Sequence, residues 1–222
     1  MLKQIKENAF FFLPYFIILI LTSIILLVFD KSFIHIRLNQ FHNDFSDLFF
    51  KIITNFGDGL FVIPVYLLLL LFSFRKALFF SATFLSSGLF VQILKRFIFD
   101  EIVRPVKYFE GIYDLYFVEG VKIHSYFTFP SGHSATTFGF FLCLALISKS
   151  KIVKILSLFF ACLVGYSRIY ISQHFLVDVY AGSIIGIFGA VSFYNIIYLS
   201  GKNWLDNSIL ILTGKKSEHK RK

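Results

Sequence analysis

Three short stretches of the chain gather residue types that can move a phosphoryl group. In the first, His174 and Asp178 stand four positions apart, so on one helix they share a face. A carboxylate there accepts the proton of one ring nitrogen. The other lone pair is then free to act as a nucleophile or a base. Arg168, next to Ser167, adds a planar fork of donors that suits phosphate oxygens. The second stretch is Pro130-Ser131-Gly132-His133, just ahead of an apolar run. A helix starting at Ser131 and Gly132 presents free backbone N–H groups to an anion. His133 beside it can protonate a leaving oxygen. The third stretch supplies more cations, Lys95-Arg96 and then Arg104-Pro105. Cations, a helix N-terminus and two histidines describe phosphoryl transfer with no metal-ligand cluster.

These residues must be carried by membrane helices. Hydrophobic residues make up 57% of the 222, charged residues only 16%, and Phe alone accounts for 32. A soluble domain usually carries about 25% charged residues, so a soluble domain and a disordered chain are both excluded. Six apolar runs are expected to cross the bilayer: 9–29, 60–74, 77–94, 134–147, 152–166 and 175–199. A span needs about 20 residues, so the shorter runs must extend into their polar flanks. The first run has neither the short apolar core nor the small-residue cleavage site of a signal peptide. Residues 43–56 have apolar side chains at helical spacing (Phe45, Leu48, Phe49, Ile52, Ile53 and Phe56), as in a short helix lying in the interface. The fold class is therefore all-α, six transmembrane helices plus an interfacial one. The whole of 1–222 is read as one membrane-embedded domain with a basic tail over 200–222.

The net charge of +9 in a soluble protein would suggest nucleic acid. Here the cations sit at span ends and are read as topology signals, so no nucleic-acid partner is expected. With the N-terminus inside, 13 Lys and Arg fall on the cytoplasmic side and 9 on the other. That bias places both termini in the cytoplasm and all three stretches on the opposite face. Cys143 and Cys162 both lie in apolar runs and are expected to be reduced, buried thiols. The Gly182–Gly186 spacing allows close helix packing within the bundle. His35, His42 and His219 are expected to be solvated interfacial residues.

The motifs resemble a known family. PSGH at 130–133 and SRIYISQHFLVD at 167–178 look like the second and third signature motifs of the type-2 phosphatidic acid phosphatase superfamily. The third matches at every fixed position: Ser-Arg, five residues, His, three residues, Asp. The first motif, Lys, six residues, Arg-Pro, matches at Arg104-Pro105. Seven positions before Arg104 stands Phe97 rather than Lys, so a two-residue insertion is needed to bring in Lys95. Lys95 rather than Arg96 is chosen because the family has Lys there. The resemblance covers about 57–199.

It implies a metal-independent, cofactor-free hydrolase of a lipid phosphate or pyrophosphate. In that mechanism His174 forms a phosphohistidine and Asp178 holds its tautomer. His133 protonates the leaving group, while Lys95, Arg104, Arg168, Ser131 and Gly132 hold the non-bridging oxygens. The implied location is a bacterial inner membrane with the site outward. Candidate substrates are undecaprenyl pyrophosphate, lipid A phosphate, phosphatidylglycerophosphate and phosphatidic acid. Lipid-to-lipid phosphotransfer on the same site is the alternative. Vanadate-dependent peroxidase chemistry fits six spans poorly. A channel or scaffold leaves the histidines and cations unexplained, since ionisable groups at membrane depth are expensive.

Overall fold

The computed structural model describes residues 2–214, and the elements among them are helical. In chain order they are α1 (Leu2–Glu7), α2 (Ala9–Val28), α3 (Lys31–Leu38), α4 (Asp44–Ile53), α5 (Gly59–Phe72), α6 (Phe74–Phe97), α7 (Pro105–Tyr108), α8 (Gly132–Ile147), α9 (Lys151–Tyr170), α10 (Leu176–Phe193) and α11 (Ile209–Leu212). A 3₁₀ turn, Thr54–Gly57, joins α4 to α5, and a π-helical turn, Tyr194–Tyr198, extends α10.

Helix α8 is the hub. It packs against α10, α9 and α6, and residues from Ser134 to Leu146 are buried along most of its length. Small side chains permit this. On α10 a Cβ at Gly186 would run into the Ala135 carbonyl, and one at Gly182 into the Ser131 carbonyl. The two helices therefore touch backbone to backbone, and the Gly182–Gly186 pair serves packing inside the bundle. The surrounding core is aromatic, with Phe11, Phe12, Tyr15, Phe79, Phe80 and Phe138 buried together. Cys143 is buried and Cys162 half-buried, and both are free thiols. Helix α2 buries only Phe11, Phe12 and Tyr15 and exposes Leu13, Ile20, Leu21 and Leu27. An apolar helix exposing such residues has lipid as its solvent.

Each of the six expected runs lies on a helix, but length separates them. Helices α2, α6, α9 and α10 with its extension are long and apolar enough to cross a membrane. The α4 segment and α5 form a fifth candidate bent by 53°. Helix α8 has 16 residues. At 1.5 Å per residue it spans about 24 Å, less than the roughly 30 Å hydrocarbon core. Length and composition thus support four or five crossings.

The boundary read at Arg75-Lys76 also moves. Ser73, in extended conformation, caps α6 by accepting the Lys76 N–H at 3.3 Å, and both cations lie inside the helix. Helix α3 occupies a stretch that sequence reading left without a helix. Helix α4 keeps the expected amphipathic face, with Phe45, Leu48, Phe49 and Ile52 exposed.

Candidate active site

Two of the three stretches are stitched together by backbone bonds at one end of the bundle. The Ser131 N–H donates to the Asp178 carbonyl at 2.9 Å. The Arg168 carbonyl accepts the N–H groups of Gln173 and His174 at 2.9 and 3.1 Å, which fixes the turn between α9 and α10. Arg104, the residue before α7, brings the first stretch to that turn. Its Nη1 donates to the Gln173 carbonyl at 3.1 Å and to Gln173 Oε1 at 2.8 Å.

His174 and Asp178 meet, but not as neighbours on one helical face. Helix α10 begins at Leu176, and Phe175 at its N-cap is extended. Asp178 occupies the third helical position and reaches back, accepting the Phe175 N–H at 2.9 Å in the manner of a capping box. His174 precedes the cap, and its Nδ1 lies 3.2 Å from the same Oδ2. Thr128 Oγ1 donates to that oxygen and lies 3.2 Å from Nδ1. The carboxylate therefore anchors helix start and imidazole together. Among the described residues His174 Nε2 has no hydrogen-bond partner, so with Nδ1 protonated toward Asp178 it keeps a lone pair.

The expected cations act on that imidazole. His174 is within electrostatic reach of Lys95, Arg104, Arg168 and His133. Burial first, and then these cations, hold its imidazole well below the ordinary histidine range, so it is neutral at physiological pH. Lys95 is buried and its Nζ has no hydrogen bond or ion pair among the described residues, whereas Arg96 beside it is exposed. The structure thus puts Lys95 in the cluster and Arg96 at its edge. Arg168 is 7% exposed. Its Nη1 donates to Thr54 Oγ1 at 2.6 Å and its Nε is buried without a partner. Burial also lowers Arg104 from the usual guanidinium range, offset by Asp178.

At the start of α8, Ser131 is the N-cap. Its hydroxyl oxygen accepts the Ser134 N–H at 3.2 Å and the Ser134 Oγ proton at 2.9 Å. Among the described residues the N–H groups of Gly132 and His133 find no acceptor, which leaves an anion-binding end. The His133 ring also makes no hydrogen bond. Among the described residues, no group of three or more His, Cys, Asp and Glu is placed to hold a metal ion.

Sequence reading missed Thr54, Thr128 and Gln173, which hold Arg168, the His174–Asp178 pair and Arg104 respectively. Gln173 lies inside the third motif, but at a variable position. Two of the histidines expected to be solvated are not. His35 is fully buried against Phe109 and Phe175, with ring centroids at 5.7 and 5.2 Å, and burial lowers its imidazole to about 4. His42 bonds Asp47 Oδ1 and the Asn39 carbonyl, each at 3.0 Å, between the rings of Tyr116 and Tyr170. His219 lies outside the described residues.

Comparison with known proteins agrees with this geometry. Residues 76–202 match the model of the PAP2 superfamily. A lipid A 4'-phosphatase of Bacteroides thetaiotaomicron is 32% identical over 96 residues, 43% of this chain and 43% of that protein. The chain thus aligns with less than half of that relative's length. The crystal structure of Aquifex aeolicus LpxE superposes with a TM-score of 0.64 at 25% identity, covering 72% of this chain and 92% of that one. A second crystal structure, a transmembrane PAP2-type phosphatidylglycerolphosphate phosphatase from Bacillus subtilis, gives 0.61 at 26% identity, covering 88% and 96%.

Proposed function

The chain is an integral membrane protein of the PAP2 superfamily, and from that premise we propose that it is a metal-independent lipid phosphatase working through a phosphohistidine. The observation that carries this reading is the buried His174 imidazole, held at Nδ1 by Asp178 and within electrostatic reach of Lys95, Arg104 and Arg168. In this reading the substrate phosphate lies between those cations and the free N–H groups of Gly132 and His133, with Ser131 capping the same helix end. Nε2 attacks phosphorus and the bond to the lipid oxygen breaks. His133 gives its proton to that oxygen. The phosphate anion itself favours the protonated form of His133. The dephosphorylated lipid leaves, and His133 takes a proton from the water that attacks the phosphohistidine. Inorganic phosphate is released and both histidines return to their starting states. Fixed cations that need no reorganisation supply most of the stabilisation.

Lipid A phosphate leads the candidate substrates because of the relative it resembles. Phosphatidylglycerophosphate, phosphatidic acid and undecaprenyl pyrophosphate follow. The decisive assay is release of inorganic phosphate from that panel by protein purified in detergent. Activity should survive EDTA and be inhibited by vanadate. An acid-labile, base-stable phosphoenzyme should be trapped, and it should be absent from His174→Ala. An absolute magnesium requirement, or phosphate appearing only on a second lipid, would overturn the reading.

The bundle is proposed to sit with six crossings, α4 in the interface and both termini in the cytoplasm. This places the site on the outer face. With Cys143 and Cys162 replaced, Asp114→Cys should react with an impermeant thiol reagent in intact cells. Ser150→Cys should react only after the membrane is opened. The reverse pattern would put the site in the cytoplasm.

A further inference from the structure

Helices α2, α3, α9 and α10 line a groove of about 430 Å³ that shares no residue with the cavity beside Lys95 and Arg104. On α2 and its cap the lining runs from Tyr15 to Phe29. At 1.5 Å per residue that is about 21 Å, more than one leaflet of a roughly 30 Å hydrocarbon core. The hydroxyls of its tyrosines are partnered inside the protein. Tyr15 Oη lies 3.2 Å from Ser183 Oγ, Tyr180 Oη lies 2.9 Å from Ser23 Oγ, and Tyr166 Oη donates to the Leu38 carbonyl at 3.0 Å. With those groups satisfied, the body of the groove presents apolar surface. Among the described residues that line it, Arg37 alone is charged. Arg37 is exposed, has no hydrogen bond or ion pair among the described residues, and lies over the Phe33 ring at 5.3 Å. Asp30, the carboxylate nearest in sequence, stands at the opposite end of α3.

The groove backs onto the catalytic turn. Ile169 follows Arg168 and Val179 follows Asp178, and both line it. Ile34 lines it as well, and the next residue, His35, packs against the Phe175 ring with centroids 5.2 Å apart. Phe175 in turn gives its N–H to Asp178. A chain filling the groove supports α3 and the start of α10 together, and through them the turn that carries His174. An empty groove forfeits the dispersion contacts of that wall.

We propose that the groove is a binding site for a structural phospholipid, which lays an acyl chain along α2 and rests its phosphodiester on Arg37. The lipid is distinct from the substrate. One exposed guanidinium matches the single negative charge of a diester, whereas the dianionic phosphate of a monoester matches the cations around His174. None of the proposed reacting or phosphate-holding residues lines the groove, so the inference goes beyond the phosphatase reading and does not rest on it.

The test is native mass spectrometry of the protein, delipidated in detergent and titrated with phosphatidylglycerol or phosphatidylcholine. The first phosphatidylglycerol should bind with a Kd about fivefold below that of phosphatidylcholine, the effect of one Arg near a lipid surface. Arg37→Gln should erase that difference and Arg37→Lys should keep it. Lys95→Ala should leave it unchanged. Ile25 lines the groove from α2, and Ile25→Trp, which fills it, should weaken binding of both lipids. Phosphatidylglycerol should also raise the melting temperature of the wild type more than that of Arg37→Gln. Equal affinity for the two lipids in the wild type, a difference that survives Arg37→Gln, or unchanged binding in Ile25→Trp would overturn the site. A difference lost in Lys95→Ala would overturn it too, by placing the lipid at the catalytic cations. None of these readouts needs turnover, so failure of the phosphatase reading would appear separately, as no phosphate released from the lipid panel.

Discussion

Helices α6 and α9 each carry a well-buried or half-buried cation at both ends, and the two ends treat them differently. At the start of α6, Arg75 is saturated. It donates to the carbonyls of Ile197, Tyr198, Ser200 and Lys202 and to Asp206 Oδ1, all between 2.6 and 3.1 Å. Lys154, near the start of α9, donates to the Glu7 carbonyl and to Asn8 Oδ1. At the other ends Lys95 has no protein partner, and Arg168 has one hydrogen bond and a stranded Nε. A buried charge that the protein itself satisfies is a staple. One left unsatisfied beside others of the same sign is costly, and an anion arriving from outside relieves that cost. Same helices, same residue types and opposite fates make the partner list the sign of function.

The comparison breaks most sharply at the nucleophile. His174→Ala should reduce turnover by three or more orders of magnitude, about the loss seen when a covalent nucleophile is removed. The protein should still melt cooperatively. Retention of more than about a tenth of wild-type turnover would end the covalent mechanism. Next come the cations. Lys95→Ala should cost about 10²- to 10³-fold in kcat with little change in melting temperature. Arg96→Ala should cost only a few-fold on a simple lipid phosphate. Arg75→Ala should do the opposite of Lys95→Ala, losing thermal stability because several carbonyls lose their donor, at about 1–3 kcal/mol each when buried, while kcat stays within about twofold. If Arg96→Ala proved worse than Lys95→Ala, the first-motif position would be reassigned. If Arg75→Ala lost kcat without stability, the staple-versus-site contrast would fall.

The pH profile tests whether the unsatisfied cations act on the nucleophile. Burial first, and then nearby positive charge, disfavours the imidazolium, so His174 is held neutral well below the ordinary value. The neutral form attacks, and activity is lost on the acid side as the ring protonates. The acid limb of kcat/KM should therefore lie below about 6.5, the unperturbed histidine value. Lys95→Met removes one cation and should move that limb up by about one pH unit. A limb that stays put, or moves down, would show that Lys95 does not act on His174.

How much of this could be read from the sequence follows the same contrast. The motif residues were legible because their types and spacings are rigid, and those spacings lie within single stretches. The mode of contact was less so. The four-position spacing of His174 and Asp178 suggested a shared helical face, whereas the helix starts after the histidine and the carboxylate turns back to cap it. The supports were invisible because they are long-range. Thr54 meets Arg168 across 114 residues, and Thr128 meets Asp178 across 50. Helix positions were read well from hydropathy. Length and composition alone support four or five crossings, because α8 has 16 residues and packs among other helices. His35 and His42 were misread for a related reason: α3 and α4 fold over the site end of α9, as the Asn39 side chain bonding the Ile169 and Tyr170 carbonyls shows.

The smallest expected effect belongs to Thr128, which stands between the two classes. Its hydroxyl donates to Asp178 Oδ2 and lies 3.2 Å from His174 Nδ1, so it touches no reacting atom and acts as a positioning residue. Thr128→Val keeps the shape and removes the hydroxyl. Asp178 then loses one of the donors on Oδ2 but retains the Phe175 N–H and His174. With less of its charge spent on Thr128, the carboxylate stabilises the imidazolium more strongly, so the His174 pKa rises. The expected outcome is a fall in kcat of less than about tenfold, because the Phe175 N–H and His174 still hold Oδ2, with the acid limb shifted slightly upward. Thr128→Ser restores the hydroxyl and should restore both rate and limb. A purely structural role predicts lost melting temperature with an unmoved pH profile, and that result would remove Thr128 from the site.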